Sequence, residues 1–329
     1  SDDDTLGEPG ELDVIHVGDA RDMSAVPDAS VALVVTSPPY FAGKEYETAL
    51  GEGHVPGDYL DYLAMMRDVL AECVRTLEPG GRIAVNVANL GRRPYRSLAA
   101  DVTTILQDDL RLLLRGEVIW QKQRGASGSC AWGSYQSPAN PVLRDTTERV
   151  IIASKGRFDR VGRSASPGEP GGATIPGDEF MEATLDVWEI PAESATRVGH
   201  PAPFPVALVE RCIQLYTYDG DIVLDPFMGS GTTAVAAVNT GRRYVGYDTD
   251  PDYVRRALER VSSMVPVVAD DRRTLKEMAR TLLDAAGFVE VEENVRVAPG
   301  VTVSFRAVGP DGVARLFELG GTHTPARPG

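Results

Sequence analysis

The chain predicts an α/β fold: a doubly wound, mostly parallel sheet with a loop-rich insert and a small α+β appendage at its C-terminal end. Three observations predict it. From Val14 to Ser262, short β-branched runs alternate with amphipathic helical stretches, the pattern of parallel strands joined by crossover helices. The run Ser30–Thr36 (S-V-A-L-V-V-T) has an unbroken apolar centre, as expected of a parallel strand covered on both faces. Beyond residue 265 the alternation gives way to closely spaced strand-like segments.

Taken in order, Val14–Val17 reads as a strand that turns at Gly18-Asp19, and Ser30–Thr36 as a second strand running directly into Ser37-Pro38-Pro39-Tyr40. The two prolines end it, because proline cannot donate to a ladder. In Asp58–Leu77, Leu60, Leu63, Met66, Val69, Leu70, Cys73, Val74 and Leu77 fall at helical spacing. Glu78-Pro79-Gly80-Gly81 stops that helix, and Arg82–Val87 is the next strand. Leu98–Leu114 predicts a helix and Glu117–Trp120 a strand. Residues 122–147 are rich in Gly, Ser, Pro and Asn; Thr147–Ala153 is a strand; residues 156–183 lose all periodicity. Loops of that length in a compact domain are usually functional or disordered. Pro205–Tyr216 (helix), Asp221–Leu224 (strand), Gly231–Thr240 (helix), Arg243–Tyr247 (strand ending at Asp248) and Asp252–Ser262 (helix) complete the domain. A helix at Thr274–Ala286 and strands at Val289–Val297, Val301–Val308 and Ala314–Leu319 form the appendage. The expected division is a flexible acidic tail over 1–11, a main domain over 12–265 with its insert at about 121–185, and the appendage over 266–329.

With 329 residues, 43% hydrophobic and 25% charged, the chain has the composition of a globular protein with a substantial core. No apolar run approaches a membrane span. Ser1-Asp2-Asp3-Asp4 has no apolar core, which argues against a secretion signal. Cys73, Cys130 and Cys212 are far apart, and the four histidines form no H-x-x-x-H pair, so the expectation is a reducing, cytoplasmic setting without disulfide framework or metal. The net charge of −15 opposes a polyanionic partner, yet its distribution is uneven. Arg92, Arg93, Arg96, Arg111, Arg115, Lys122, Arg124, Arg144, Arg149, Lys155, Arg157, Arg160 and Arg163 give the middle of the chain a basic bias, either a solvated face or a set of phosphate contacts.

Two motifs carry chemistry. Asp225-Pro226-Phe227-Met228-Gly229-Ser230-Gly231-Thr232-Thr233 follows a strand and opens a helix. Glycines let backbone approach a ligand, and the free N–H groups of a helix N-terminus favour a carboxylate. Asp248, ending the next strand in Y-V-G-Y-D, suits the two hydroxyls of a ribose. The context implies a nucleoside-bearing cofactor. The absence of G-x-x-x-x-G-K-[ST] and of G-x-G-x-x-G disfavours a phosphate-loop NTPase and a nicotinamide enzyme. Asp19 either accepts from an adenine amino group or is an ordinary turn or cap aspartate.

The second motif is Thr36-Ser37-Pro38-Pro39-Tyr40. The exocyclic amine of a base is a poor nucleophile because its lone pair is delocalised into the ring. Two acceptors, the Ser37 side chain and the Pro38 carbonyl, can bind both N–H groups and draw the nitrogen toward tetrahedral geometry. Tyr40 offers a face for stacking. No cysteine follows a proline, so the nucleophile of carbon-5 cytosine methylation is not apparent. Thr36 and Asp225 lie much farther apart than the ~30 residues of one βαβ unit.

On these residues the chain resembles the beta-type amino DNA methyltransferases, in which the catalytic motif precedes the cofactor motif. The resemblance covers about residues 12–262. It implies a Rossmann-like methyltransferase sheet, S-adenosylmethionine as cofactor and double-stranded DNA as partner. T-S-P-P-Y resembles the family's catalytic motif, which implies catalytic roles for Ser37, Pro38, Pro39 and Tyr40. The loop Asp225–Thr233 resembles its cofactor loop, implying contacts from Asp225, Pro226, Phe227, Gly229, Ser230, Gly231, Thr232 and Thr233. His200-Pro201-Ala202-Pro203-Phe204 resembles the segment that closes over the methionine part, bringing in His200, Pro203 and Phe204. Gly246-Tyr247-Asp248 resembles the ribose-binding strand end, and Gly18-Asp19 the position that contacts adenine. The family's variable region reads the DNA, which assigns that task to the insert; Trp132 and Tyr135 either stack on bases there or anchor the fold. The target base must leave the helix stack to be reached.

Serine at position 37 resembles the N4-cytosine enzymes, whereas N6-adenine enzymes more often carry Asp or Asn there. The reading is therefore a site-specific cytosine-N4 DNA methyltransferase, with an N6-adenine enzyme or a partner-dependent DNA-binding module as alternatives. A restriction or defence-system protein partner and a homodimer are both compatible with it. In the appendage, Ala285–Phe288 and Phe317-Glu318-Leu319-Gly320-Gly321 faintly resemble the start of a truncated endonuclease-like α/β module, but Gly320 stands where its usual lysine would be, which favours a plain stabilising appendage.

Overall fold

The structure is a computed structural model that describes residues 5–39, 57–89, 95–122, 133–143, 146–160, 171–192, 204–263, 280, 283, 287–298, 301–310 and 312–317. The chain divides into two compact units, Ser1–Pro266 and Val267–Gly329.

The first unit is built on an eight-stranded sheet. Its strands are β1 (Val14–Val17), β2 (Val31–Thr36), β3 (Leu77–Val87), β4 (Leu113–Gln121), β5 (Thr147–Ser154), β6 (Val187–Glu189), β7 (Ile222–Asp225) and β8 (Arg243–Asp248). Their spatial order is β1-β8-β7-β2-β3-β5-β4-β6. All neighbouring pairs are parallel except the two made by β5, which runs against β3 and β4. The expected mostly parallel, doubly wound sheet is thus present.

Period-2 alternation explains the two cores. Leu33 and Val35 of β2, with Val223 of β7, pack with α4 (Val206–Tyr216), α5 (Thr232–Asn239) and α6 (Pro251–Ser262). Val34, Leu224 and Val245 face the other way, against α1 (Gly57–Thr76) and α2 (Leu98–Thr104). Every residue of β2 is buried, which is why its sequence reads as a continuous apolar run.

Three elements differ from expectation. The helix expected over Leu98–Leu114 ends at Thr104 and continues as one wide π turn, Ile105–Asp109, closed by Leu110 N donating to Ile105 O at 2.9 Å. That turn buries Ile105 and Leu106, after which left-handed Arg111 (φ 58°) redirects the chain into β4. Glu78–Gly81, expected as a stop between helix and strand, already belongs to β3. Finally, the stretch 156–183, expected as loop, contains α3 (Gly177–Ala183), and beyond it lies the short strand β6, where no element was expected. Local periodicity is absent there because tertiary anchoring holds these elements: Trp188 is buried, and its Nε1 donates to the carbonyls of Ala183 and Leu185.

The second unit contains a three-stranded antiparallel sheet, β9 (Val289–Ala298), β10 (Val301–Val308) and β11 (Ala314–Phe317), with β10 central. Leu283, Phe305 and Ala307 form its core, with Phe288 packed against them. Most of Thr274–Ala286 and all of Glu318–Gly321 lie outside the described residues.

Candidate active site

The carboxyl ends of β1, β8, β7 and β2 lie side by side, and the segments leaving them line one cavity of about 650 Å³. Ligands in open α/β sheets bind at such a row of strand ends, and the volume lies within the ~300–1,000 Å³ of small-molecule sites. Gly18 and Asp19 follow β1; Ser37, Pro38 and Pro39 follow β2; Pro226–Ser230 and Thr232 follow β7; Asp248 ends β8. The cavity therefore unites the two motifs that the sequence separates by most of the domain.

Placement of the anticipated residues is uneven. Ser37 is half-buried, Pro38 buried and Pro39 exposed, and all three line the cavity with Phe204, Pro226, Phe227, Gly229, Ser230 and Thr232. Asp225, Gly231 and Thr233 are fully buried in the scaffold and are not among the residues lining the cavity. Their work is to shape it. Asp225 Oδ1 accepts from Thr36 Oγ1 at 2.7 Å and from Phe227 N at 3.0 Å, while Oδ2 accepts from Thr233 Oγ1 at 2.6 Å. One carboxylate thereby clamps the end of β2 to the loop and to the first turn of α5. Burial, outweighing these hydrogen bonds, pushes its pKa up to about 6. Gly231 caps α5 with φ 83°, and a Cβ there would meet the Ala257 Cβ of α6 at 2.8 Å. Tyr40, His200 and Pro203 lie outside the described residues.

Asp248 is half-buried; its Oδ2 accepts from Gly229 N at 2.8 Å and its Oδ1 from Asp250 N at 2.9 Å. A carboxylate has about four lone-pair positions, so acceptor capacity is left for a diol. Gly246 brings the strand against the loop: a Cβ there would run into the Met228 side chain. Asp19 is exposed, and the Arg21 side chain, bonded to both of its oxygens, holds its carboxyl below the usual aspartate range. The site thus combines carboxylates with apolar walls from Met65, Val69, Phe204 and Met228, at the N-terminus of α5, a lining that fits an adenosine-bearing amino acid.

Several contributors were not anticipated as site residues. Met65 and Val69 of α1 and Tyr253 of α6 line the cavity; the first two are indistinguishable in sequence from other apolar helix positions. Tyr62 is buried and donates to the Pro39 carbonyl at 2.9 Å, bracing the proline turn from α1. Asn86 reaches Ser37 from β3. Its signal was visible: it is the one polar side chain inside the strand core I-A-V-N-V.

The described members of the basic set are largely engaged internally. Arg160 is buried between Glu78 and Asp221, Lys155 donates to the carbonyls of Arg75 and Leu77, Arg96 pairs with Asp101, Arg149 with Glu117 and Arg157 with Asp159. Arg92, Arg93, Arg124, Arg144, Arg163 and Trp132 lie outside the described residues, whereas Tyr135 is exposed. No helix among the described residues is long and apolar enough to cross a membrane.

Residues 31–259 match the family described as DNA methylase. Type II methyltransferase M.ScaI of Streptomyces caespitosus is 26% identical over 258 residues, spanning 76% of this chain and 81% of its own. DNA adenine methyltransferase YhdJ of Escherichia coli (strain K12) is 24% identical over 277 residues, spanning 80% and 87%. Among solved structures, TTHA0409 of Thermus thermophilus, complexed with S-adenosyl-L-methionine, is 30% identical with a TM-score of 0.61 and coverage of 77% and 96%. PvuII DNA methyltransferase, cytosine-N4-specific, shares the fold at 18% identity, with a TM-score of 0.59 and coverage of 84% and 94%.

Proposed function

We propose, on the premise that this chain belongs to the DNA methylase family and is an S-adenosylmethionine-dependent DNA methyltransferase of the N4-cytosine/N6-adenine type, that its target is the N4 amine of cytosine in duplex DNA. The observation that carries the choice is Ser37, a small hydroxyl on the cavity wall beside buried Pro38, where adenine enzymes more often carry Asp or Asn. Relatives bear on both bases: YhdJ is an adenine enzyme, PvuII methyltransferase a cytosine-N4 enzyme.

Asp248 would hold the ribose hydroxyls, Asp19 the adenine amine, and the N–H groups of the first turn of α5 the carboxylate. The bound cofactor supplies an electrophilic methyl group on a sulfonium, from which sulfur departs as a neutral thioether. Ser37 Oγ and the Pro38 carbonyl accept the two N–H bonds of the flipped base and localise its lone pair toward that methyl. The surplus proton of the methylated amine would pass to solvent. Alignment in a partly desolvated cavity supplies most of the acceleration, and no covalent enzyme intermediate is needed. The segment between β4 and β5 and the stretch that follows β5, about residues 121–185, would read the DNA sequence.

Mass spectrometry of nucleosides from duplex DNA treated with the protein and isotope-labelled S-adenosylmethionine tests the base. Labelled N4-methylcytosine is expected; labelled N6-methyladenine in its place would overturn the assignment. Full activity in a Ser37→Ala variant would remove Ser37 from the mechanism.

A further inference from the structure

Behind Ser37 lies a row of buried polar side chains that the chemistry above leaves unused. Asn86, 1% exposed in the middle of the sheet, donates through Nδ2 to Glu148 Oε2 at 2.6 Å and reaches Ser37 Oγ at 3.4 Å, the outer edge of hydrogen bonding. Glu148, 4% exposed on β5, is ion-paired with Lys122 just beyond β4. Asn86 Oδ1 is buried with no hydrogen-bond partner among the described residues. A buried amide with one orphaned oxygen in a central strand is costly, and such groups call for an explanation.

We propose that Asn86, oriented by Glu148, is a positioning residue that sets the direction in which the Ser37 hydroxyl meets the base. The inference rests on the reading of Ser37 as the group that receives the substrate amine. An amide nitrogen carries two hydrogens. One is committed to the Glu148 carboxylate, so the other faces Ser37. The amide cannot turn over without setting its oxygen against that carboxylate. Ser37 Oγ therefore accepts on its β3 side, and its remaining lone pair and its own hydrogen are left for the cavity side. The lone pair takes the amine N–H; the hydrogen is available to the ring nitrogen beside the amine. Lys122 and Glu148 stand at the two ends of the segment that leaves the sheet between β4 and β5. The row thus ties the serine to the root of the region proposed to read DNA.

The test compares Ser37→Ala, Asn86→Ala, their double variant and Asn86→Asp. The readouts are the rate of labelled-methyl incorporation into a duplex library of randomised sequence, at saturating cofactor, and S-adenosylmethionine affinity by calorimetry. Asn86→Ala is expected to lower kcat roughly 10- to 100-fold, the scale of a reacting group displaced by about 1 Å, with cofactor affinity unchanged. The double variant should be no slower than Ser37→Ala, because the asparagine acts only through the serine. In Asn86→Asp two carboxylates must share a proton, so its rate should fall with rising pH along a limb absent from the native enzyme. Native kcat in Asn86→Ala beside a slow Ser37→Ala, additive losses in the double variant, or an Asn86→Asp profile that parallels the native one would each overturn the proposal. Full rate in Ser37→Ala would instead show that the underlying reading of Ser37 had failed. Should the Asn86 variants lose cofactor binding altogether, Glu148→Gln replaces them, with a smaller loss and the same non-additivity expected.

Discussion

Replacing Asp225 with asparagine isolates the thermodynamic cost of the clamp beneath the cavity. The side chain is wholly buried, and its three hydrogen bonds come from Thr36, Thr233 and the Phe227 amide. Asparagine has the same shape. Its oxygen can accept from Thr36 and Phe227, and the Thr233 hydroxyl can rotate to accept from its nitrogen. What changes is the charge. The native carboxyl has a pKa of about 6 in the fold against 3.8 for an ordinary aspartate. Because the folded value is raised, its stabilising contribution is complete below pH 3.8 and is lost as pH rises through about 6. The gap corresponds to about 3 kcal/mol. Relative to the native protein, Asp225→Asn should therefore gain about 3 kcal/mol between acid and neutral pH, most of it between pH 4 and 7. Guanidinium titrations followed by tryptophan fluorescence measure the difference in the right place: Trp120, Trp132 and Trp188 all belong to Ser1–Pro266, so the signal reports that unit alone. Acid-sensitive pairs elsewhere, such as Asp19–Arg21, are common to both proteins and cancel. A stability difference that stays flat with pH, or that favours the native protein as pH rises, would refute the argument.

Other expectations follow from the same geometry. Gly231→Ala forces a side chain into φ 83° and against Ala257, and should destabilise the fold by roughly 2–4 kcal/mol, read as a drop in melting temperature. Asp248→Ala removes the acceptor for Gly229 N and should weaken S-adenosylmethionine binding roughly 10- to 100-fold by calorimetry, since a charge-assisted hydrogen bond contributes about 1.5–3 kcal/mol; unchanged affinity would exclude it from the cofactor site. Cys73 and Cys212 are fully buried, and burial raises both thiols, Cys212 to about 12. A Cys130→Ser variant should accordingly keep its methylation rate in iodoacetamide, and inactivation before unfolding would contradict the cysteine-independent chemistry.

How much of this was legible in the sequence depends on how local the cause was. The strand ends that carry Ser37, Asp225 and Asp248 were readable because glycine, proline and acidic residues punctuate apolar runs at those points. The burial of Asp225 was not, since a strand-end aspartate looks the same whether it faces a ligand or clamps its own scaffold. Only the pairing of β2 with β7 brings Thr36 to it. The role of Arg160 was not legible for a related reason: arginine composition cannot distinguish a phosphate contact from a side chain buried between Glu78 and Asp221. Helix α3 and strand β6 escaped because their stability comes from the buried Trp188 rather than from any periodicity. Glu148 escaped as well, being an unremarked charge at the start of a strand until its partners were placed.

The strand order also bears on how the chain matures as it is made. Among the described strands β1 has β8 as its one neighbour, and β7 lies between β8 and β2. β1 and β2, consecutive in the chain, are therefore not neighbours; they wait for a pair synthesised much later, with Thr36 and Asp225 189 positions apart. Contacts of such long range make folding slow and leave strand edges open meanwhile. A nascent chain that stops short of β7 has the serine and prolines but lacks the opposite wall of the cavity, Pro226–Ser230 and Asp248. The cavity wall is complete only when β7, β8 and the first turn of α6, with Tyr253, have joined the sheet, so the site is among the last parts of this unit to close.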